Sequence, residues 1–364
     1  MTLSFPVTPA GHPRSESERA QILADPGFGT NFTDHMLVAT WTDGEDWHDG
    51  KVVEYGPITL MPSAAVLHYA QEIFEGLKAY RHEDGSVWSF RPEANAQRLN
   101  RSASRLALPQ LLEEDFIGSL RALVEVDQDW VPAFGEGEKS LYLRPFMYAS
   151  ESFLGVRPAK EVTYSVIASP AGAYFSGGLK PVTLWLSQQY ARAGAGGTGA
   201  AKCGGNYASS LAGQLEGIEH GCDQAVFLDS STQTSIEELG GMNLFFVMQD
   251  GRILTPQLTG SILEGVTRSS ILELSKELGL DPREERIEIG QWKDGVRSGE
   301  ITEIFACGTA AVVTPVGELR WEGGSAPSTA GEGGGEVTNA IRERLLDIQY
   351  GRAEDTHGWL TRLV

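Results

Sequence analysis

Short β-like runs and helical stretches intermingle along this chain of 364 residues without the strict strand–helix alternation of a parallel α/β fold. Runs rich in β-branched and aromatic residues, bounded by turn residues, predict strands at 35–41, 51–56, 86–90, 141–148, 161–170 and 181–187, and within 224–230, 242–256 and 304–316. Apolar residues at helical spacing predict helices at 65–80, 91–108, 113–127, 206–221, 263–280 and 336–351. The fold class is therefore α+β or mixed α/β.

Two of these helices depend on particular apolar residues. The predicted helix 65–80 is based on Leu67, Ala70, Ile73, Phe74 and Leu77. The predicted helix 206–221 carries Leu211, Leu215 and Ile218 on one face and ends at Gly221.

The length favours about two domains, and one segment has the composition of a linker. Residues 171–181, AGAYFSGGLKP, are rich in glycine and small residues and end in proline. We therefore predict a small N-terminal domain at 1–170, a linker at 171–180 and a larger C-terminal domain at 181–364.

Charge and cysteine content exclude several classes of function. The 29 basic and 49 acidic side chains leave a net charge of −20, which argues against a general nucleic-acid binder and against an anionic membrane surface. No apolar run is long enough to span a bilayer, and the N-terminal residues lack a signal or transit pattern. Cys203, Cys222 and Cys307 have no metal-ligand spacing. These features predict a cytoplasmic protein with free thiols, no metal site, and no nucleic-acid or membrane partner.

Lys202 lies in an unusual setting. It is the only charged residue between Arg192 and Glu216, within the small-residue stretch AGAGGTGAAKCGGNYASS. Poor solvation there favours a neutral amine, as a Schiff-base lysine requires. A plain loop lysine remains the alternative from this feature alone.

A second pattern overlaps this stretch. Gly194, Gly196 and Gly199 satisfy the GxGxxG spacing of dinucleotide-binding folds. That fingerprint should follow a strand directly and open a helix, whereas QQYARA precedes the first glycine and Gly204-Gly205 interrupt any helix. A nucleotide-dependent dehydrogenase is therefore a minor alternative.

A longer signature lies downstream. The string ELGGMNLF (238–245) is followed by ILT (253–255) and then by LEGVTR (263–268). This series resembles the signature of the class IV (fold type IV) pyridoxal-phosphate aminotransferases. Further segments resemble the branched-chain amino-acid aminotransferase subgroup: LHYAQEIFEGLKAYR, QRLNRSASRL, LYLRPF, FLGV, PAGAYFSGG, KCGGNYASS, CGTAAVVTPV and IQYGR.

The resemblance implies a two-domain fold with pyridoxal 5′-phosphate at the domain interface, in a homodimer. It implies ping-pong transamination of leucine, isoleucine or valine with 2-oxoglutarate, through a Schiff base on Lys202, giving branched 2-oxo acids and L-glutamate. A D-amino-acid aminotransferase or an aminodeoxychorismate lyase of the same fold is the alternative.

The resemblance also assigns residues to the cofactor. Lys202 would bind it covalently, and Glu238 would pair with its ring nitrogen, although the neighbouring Glu237 is a competitor. Arg192 would contact these cofactor-binding residues rather than the cofactor itself. The remaining predicted contacts are Arg98 on the phosphate, Tyr207 on the ring hydroxyl, Leu258 on the ring face, and the phosphate cup of Ser261, Ile262 and Thr309.

The substrate side must accept both branched apolar side chains and the second carboxylate of glutamate. By resemblance, Arg144 meets that carboxylate, and the amides of Ala310 and Ala311 meet the α-carboxylate. The aromatic pocket is Tyr69, Phe74, Tyr142 and Tyr174, and Leu154 and Val156 reach a neighbouring subunit's site. Two departures are Gly241, where some members carry a hydroxyl residue, and the absence of the CxxC of mammalian members at Ala311 and Thr314.

Overall fold

The computed structural model describes residues 2–172, 180–331 and 333–364. Most of the predicted linker 171–180, and Tyr174 with it, lies outside these residues. Two compact units are present. Unit 1 comprises Met1–Ser176, Ala201–Gly204 and Asp347–Val364, and unit 2 comprises Gly177–Ala200 and Gly205–Leu346. The predicted C-terminal domain at 181–364 thus differs from unit 2, because the segments around Lys202 and at the C-terminal end pack with unit 1.

The first half of the chain is mainly antiparallel strands with four helices among the described residues. In chain order these elements are α1 (Glu16–Ala24), β1 (His35–Thr42), β2 (Asp46–Glu54), α2 (Val66–Tyr69), β3 (Glu72–Phe74), β4 (Leu77–Arg81), β5 (Val87–Phe90), α3 (Pro92–Arg105), α4 (Glu113–Val126), a 3-10 turn (Gln128–Trp130), β6 (Ser140–Ala149) and β7 (Glu161–Ala171).

The second half continues with shorter strands and four more described helices. They are β8 (Val182–Leu186), α5 (Gly204–Glu219), β9 (Gln224–Leu228), β10 (Ile236–Leu239), β11 (Asn243–Met248), β12 (Arg252–Pro256), α6 (Val266–Glu277), β13 (Asp281–Glu285), α7 (Ile289–Ser298), β14 (Ile301–Gly308), β15 (Val312–Trp321), β16 (Gly324–Pro327), α8 (Glu336–Gln349) and β17 (Leu360–Arg362).

Unit 1 is built on an antiparallel sheet covered by helices. Its described strands run in the order β17-β5-β4-β6-β7-β1-β2, with β3 also paired to β6. Leu99 of α3 and Phe116 of α4 share a buried core with Leu143 of β6. Pro92 occupies the first turn of α3, where its missing N–H costs nothing, so the predicted helix 91–108 forms with a definite start.

The predicted helix 65–80 is wrong after its first turn. The helix α2 ends at Tyr69, and Ala70 adopts a left-handed conformation with φ 47°. The chain then forms β3 and β4, where Ile73 pairs with Met147 and Leu77 pairs with Leu143. Apolar residues four apart share a face in a strand as well as in a helix, so the spacing was ambiguous. Pairing with the edge of β6 opposite β7 decided the outcome.

Unit 2 carries a mixed sheet. Its described strands run in the order β10-β9-β8-β15-β14-β11-β12-β13, with β16 on β15. The pairs β8–β9, β8–β15 and β12–β13 are parallel, and the other pairs are antiparallel. Phe245 and Phe305 stack within its core. The predicted mixed α/β class is confirmed.

The helix α5 packs in an unexpected orientation. Leu211, Leu215 and Ile218 do share one face, but they are 59%, 61% and 56% exposed. The buried face carries small residues, because a Cβ on Gly213 would lie only 2.8 Å from the ring of Phe227. Close approach of the helix to the sheet therefore selects glycine on the inner face.

Two negative findings apply to the described ranges only. No helix there combines the length and apolar character needed to cross a membrane. The same residues contain no group of three or more His, Cys, Asp and Glu side chains able to hold a metal ion.

Candidate active site

The backbone around Lys202 is held from both sides within unit 1. Its carbonyl accepts a hydrogen bond of 2.9 Å from the N–H of Phe74, and its own N–H donates to the buried Ser102 hydroxyl at 2.9 Å. Two residues further on, the Gly204 N–H donates a hydrogen bond to the Glu72 carboxylate. The ammonium Nζ lies 4.7 Å from the centre of the Phe74 ring. This lysine therefore projects from a fixed backbone beside an aromatic surface.

Arg98 is buried on α3 against a carboxylate that sequence analysis did not single out. Its Nε and Nη2 donate to the two oxygens of Glu75 at 2.8 and 2.7 Å, and Asn95 Nδ2 donates to the same carboxylate at 2.7 Å. Burial alone raises the pKa of Glu75, but Arg98, Lys202 and Asn95 outweigh it, and the net pKa lies below the usual value. Glu75 is therefore an ionised partner that orients Arg98. No spacing rule connects positions 75 and 98.

The predicted substrate residues of β3 and β6 lie together in unit 1. Arg144 Nη2 donates to the Tyr142 hydroxyl at 3.1 Å, and its guanidinium carbon lies 4.7 Å from the centre of the Phe74 ring. Arg144 Nε is buried and has no hydrogen-bond partner among the described residues. The Phe74 ring thus lies close to the side chains of both Arg144 and Lys202.

The predicted loop contacts lie at an exposed edge of unit 1. The Tyr69 hydroxyl donates to the carbonyl of Leu154. Leu154 is 64% exposed and Val156 is 89% exposed, which is unusual for aliphatic side chains in one loop.

Glu238 is buried on β10 in unit 2 within a set of donors. Arg192 Nη1 lies 2.7 Å from Glu238 Oε1, and the Leu263 N–H donates to the same oxygen at 2.8 Å. Asn243 Nδ2 donates to Oε2 at 3.2 Å. These donors stabilise the negative charge of the carboxylate in a dry environment. Arg192, distant in sequence, is its charge partner.

The glycine-rich stretch before Lys202 has a packing reason in unit 2. A Cβ on Gly199 would lie 2.2 Å from the carbonyl oxygen of Ser261. The last glycine of the GxGxxG pattern therefore allows close contact with the loop that carries Ser261 and Ile262, both of which are buried.

The helix predicted at 263–280 begins three residues later than predicted. It is α6, which starts at Val266 with Gly265 as its N-terminal cap. The amides of the first helical turn therefore belong to Val266 and Thr267, while Ser261 and Ile262 precede the helix. Gly265, directly before the helix, was the sequence signal for this boundary.

The other predicted contacts of unit 2 vary in exposure. Tyr207 is partly buried on α5, with the Arg192 guanidinium carbon 5.9 Å from the centre of its ring. Leu258 is partly exposed. Thr309, Ala310 and Ala311 form the turn between β14 and β15, where Gly308 pairs with Val312.

Comparison with known proteins gives a consistent result. The profile described as Amino-transferase class IV matches residues 72–319. The chain is 55% identical over 364 residues, 99% of it and 98% of the relative, to a branched-chain-amino-acid aminotransferase of Mycolicibacterium smegmatis (strain ATCC 700084 / mc(2)155).

Solved structures of the same kind are similar to the chain. A branched-chain amino acid aminotransferase of Escherichia coli matches with 29% identity and a TM-score of 0.74, over 90% of this chain and 99% of that one. A T.th. branched-chain amino acid aminotransferase complexed with N-(5′-phosphopyridoxyl)-L-glutamate matches with 28% identity and a TM-score of 0.70, over 90% and 98%.

Proposed function

We propose that this chain moves the amino group between leucine, isoleucine or valine and 2-oxoglutarate. The chain belongs to the class IV aminotransferases, and within them to the branched-chain-amino-acid aminotransferases. The observation that carries the proposal is the position of Arg144 against Phe74, the ring that also faces Lys202. An apolar ring and a cation with a buried, unpartnered Nε suit a pocket for a branched side chain and for a second carboxylate.

The donor set fits pyridoxal 5′-phosphate, which we propose as the cofactor. It comprises a backbone-fixed amine at Lys202, a buried guanidinium at Arg98 and a buried carboxylate at Glu238. When bound, the cofactor supplies the electron sink for the substrate Cα. Lys202 would hold the cofactor covalently through its Nζ and, when released, would use that amine to take up and return the proton of the substrate Cα.

In this proposal Glu238 would pair with the ring nitrogen of the cofactor and would keep it protonated. Arg192 and the Leu263 N–H support that role, because they stabilise the ionised carboxylate that a pyridinium nitrogen needs as a partner. Tyr207 would donate its hydroxyl to the ring hydroxyl oxygen of the cofactor, and Leu258 would pack against the ring.

The phosphate is assigned to Arg98, Thr309 and backbone amides. Among the amides, those of Val266 and Thr267 are favoured over those of Ser261 and Ile262, because the partial positive charge of a helix lies at its first turn. Thr267→Pro removes one N–H at a position where helices tolerate proline, whereas Ile262→Pro tests the earlier pair. Weaker cofactor binding by Ile262→Pro alone would restore the assignment to Ser261 and Ile262.

The substrate contacts follow the same proposal. In this proposal Tyr69, Phe74 and Tyr142 would line the pocket for the branched side chain. Tyr174, assigned by the same resemblance, lies outside the described residues. Ala310 and Ala311 amides receive the α-carboxylate, and Arg144 receives the second carboxylate of glutamate. The similar T.th. branched-chain amino acid aminotransferase, solved in complex with N-(5′-phosphopyridoxyl)-L-glutamate, supports this assignment of the second carboxylate.

Half-reactions test this function. The cofactor absorbance band of the purified protein should bleach with both L-leucine and L-glutamate, and D-alanine should leave it intact. Arg144→Met should lose the L-glutamate reaction far more than the L-leucine reaction, with Arg121→Met on the surface of unit 1 as the matched control. Bleaching by neither amino acid would refute the proposal, and a Lys202→Ala protein that still forms a borohydride-reducible adduct would refute the role of Lys202.

Assembly and location are further parts of the proposal. The exposed Leu154 and Val156 support a homodimer in which this loop reaches the second subunit's site. Light scattering should give twice the chain mass, and Val156→Asp should lower it towards the monomer value. The cytoplasmic location predicted from the sequence is checked by cell fractionation.

A further inference from the structure

Two adjacent carboxyl groups on β10 have very different surroundings. The pairing of β10 with β9 shifts register between Ile236 and Leu239, at the Glu237–Glu238 pair. Glu238 accepts from Arg192, Leu263 and Asn243, whereas Glu237 contacts the Ser261 hydroxyl through Oε1. Glu237 is only 5% exposed, and its Oε2 is buried without a hydrogen-bond partner in the described part of the chain.

Arg192 is the buried arginine beside these two carboxyl groups. Arg192 Nη1 lies 2.7 Å from Glu238 Oε1 and donates to the Ser261 carbonyl at 3.3 Å. Ser261 therefore contacts both Arg192, through its carbonyl oxygen, and Glu237, through its hydroxyl group. Two ionised carboxylates beside one buried arginine would leave an uncompensated negative charge in a dry environment, which is costly.

Among the described residues that line the cavity beside Glu237, the further cation is Arg286, which already has a carboxylate partner. The cavity, of about 200 Å³, is lined by Asp229, Glu285 and Arg286, and Arg286 donates to Glu288. Burial raises the pKa of Glu237, the Ser261 hydroxyl lowers it, Asp229 raises it and Arg192 lowers it, and the net pKa lies above the usual value.

We propose that Glu237 is held as a neutral carboxylic acid. It is a positioning residue, because without a negative charge of its own it does not compete with Glu238 for Arg192. With its proton on Oε1, the acid donates a hydrogen bond to Ser261 Oγ. The Ser261 hydroxyl in turn donates to Thr259 Oγ1, 2.8 Å away. The carbonyl oxygen Oε2 then has no hydrogen-bond partner among the described residues, which costs less than an unpaired ionised oxygen. The effect on the cofactor rests on the proposed contact of Glu238 with the ring nitrogen.

Infrared spectroscopy of the purified chain tests the protonation state directly. The wild type at pH 7 should show the C=O stretch of a buried carboxylic acid, sensitive to exchange into D₂O. Glu237→Gln should abolish it, while Glu238→Gln and the cavity-lining control Glu285→Gln should keep it. Ser261→Ala should shift its frequency, because the acid loses its partner. A band that is absent in the wild type, or that survives in Glu237→Gln, would overturn the proposal.

The positioning role is tested by the pH dependence of the holoenzyme spectrum. When Glu237 ionises at alkaline pH, the added charge beside Arg192 should change the cofactor band, and Glu237→Gln should lack this step while matching the wild type at pH 7. Identical titrations of both proteins would refute the positioning role. If Glu238→Gln leaves the cofactor band unchanged, the role of Glu238 fails instead, and the infrared result for Glu237 still stands.

Discussion

Removing the carboxylate of Glu75 should strongly destabilise unit 1. Glu75 is fully buried, Arg98 is 4% exposed, and the two side chains form paired hydrogen bonds of 2.8 and 2.7 Å. Glu75→Gln keeps the shape of the side chain but leaves the Arg98 charge without its ionic partner. A low-dielectric interior makes such an unpaired charge expensive.

The expected size follows from the geometry of the pair. Breaking a buried ion pair from one side typically costs about 3–5 kcal/mol, and the bidentate contact places this pair within that range. At 1.4 kcal/mol per factor of ten, a loss of about 3 kcal/mol lowers the folding equilibrium constant on the order of a hundred-fold. The change is comparable to a large share of the stability of an ordinary domain.

Urea unfolding of the wild type and Glu75→Gln measures this loss, and hydrogen exchange of peptides from α3 and β3 locates it in unit 1. Asp294→Asn is the control, because the Asp294–Arg297 pair is exposed and should contribute little. The double variant Glu75→Gln/Arg98→Met removes both charges and should regain much of the lost stability. Equal unfolding midpoints for Glu75→Gln and the control would refute the reasoning.

The same pair predicts a pH dependence. Because the folded pKa of Glu75 is lowered, its contribution is complete above the unfolded carboxyl pKa of about 4.3 and disappears as the pH falls through the folded value. The stability gap between the wild type and Glu75→Gln should therefore be constant from pH 7 to about pH 5 and narrow in acid. A gap that widens in acid would contradict the assignment.

Three further outcomes are expected. Gly213→Ala should lower the melting temperature, at a cost of about 1–3 kcal/mol, because its Cβ would lie 2.8 Å from Phe227, whereas Gly205→Ala in the same helix meets nothing within 4 Å and should not. The thiol of Cys307, whose pKa burial raises to about 12, should stay unlabelled by a thiol reagent at pH 8 until the protein unfolds; rapid native labelling would contradict this. Asn95→Ala should destabilise the protein by about 1–3 kcal/mol in urea unfolding, because it removes a 2.7 Å hydrogen bond to a buried carboxylate; an unchanged midpoint would count against that bond.

Local patterns were sufficient for part of the fold. The apolar periodicity of 91–108 and 113–127 predicted α3 and α4, since both helices bury one face within their own unit. The long signature from Glu238 to Arg268 identified the family, because the identities and spacing of its residues are properties of the chain itself.

Partnerships between distant segments were beyond local patterns. After the short helix α2, the rest of residues 65–80 forms two strands because they pair with the edge of β6 opposite β7, and spacing alone does not report which backbone lies nearby. The apolar face of α5 points outward because close approach to Phe227 at Gly213 places the small-residue face of the helix against the sheet.

The sequence by itself determined the family, the mixed α/β class and the candidates for chemistry, including Lys202, Arg98 and Glu238. Only the tertiary structure decided their partners, Glu75 for Arg98 and Arg192 for Glu238, and separated Glu237 from Glu238 by environment. The physical reason is that ionic and hydrogen-bonded contacts depend on distance and burial, which arise only when segments remote in the chain are folded against each other.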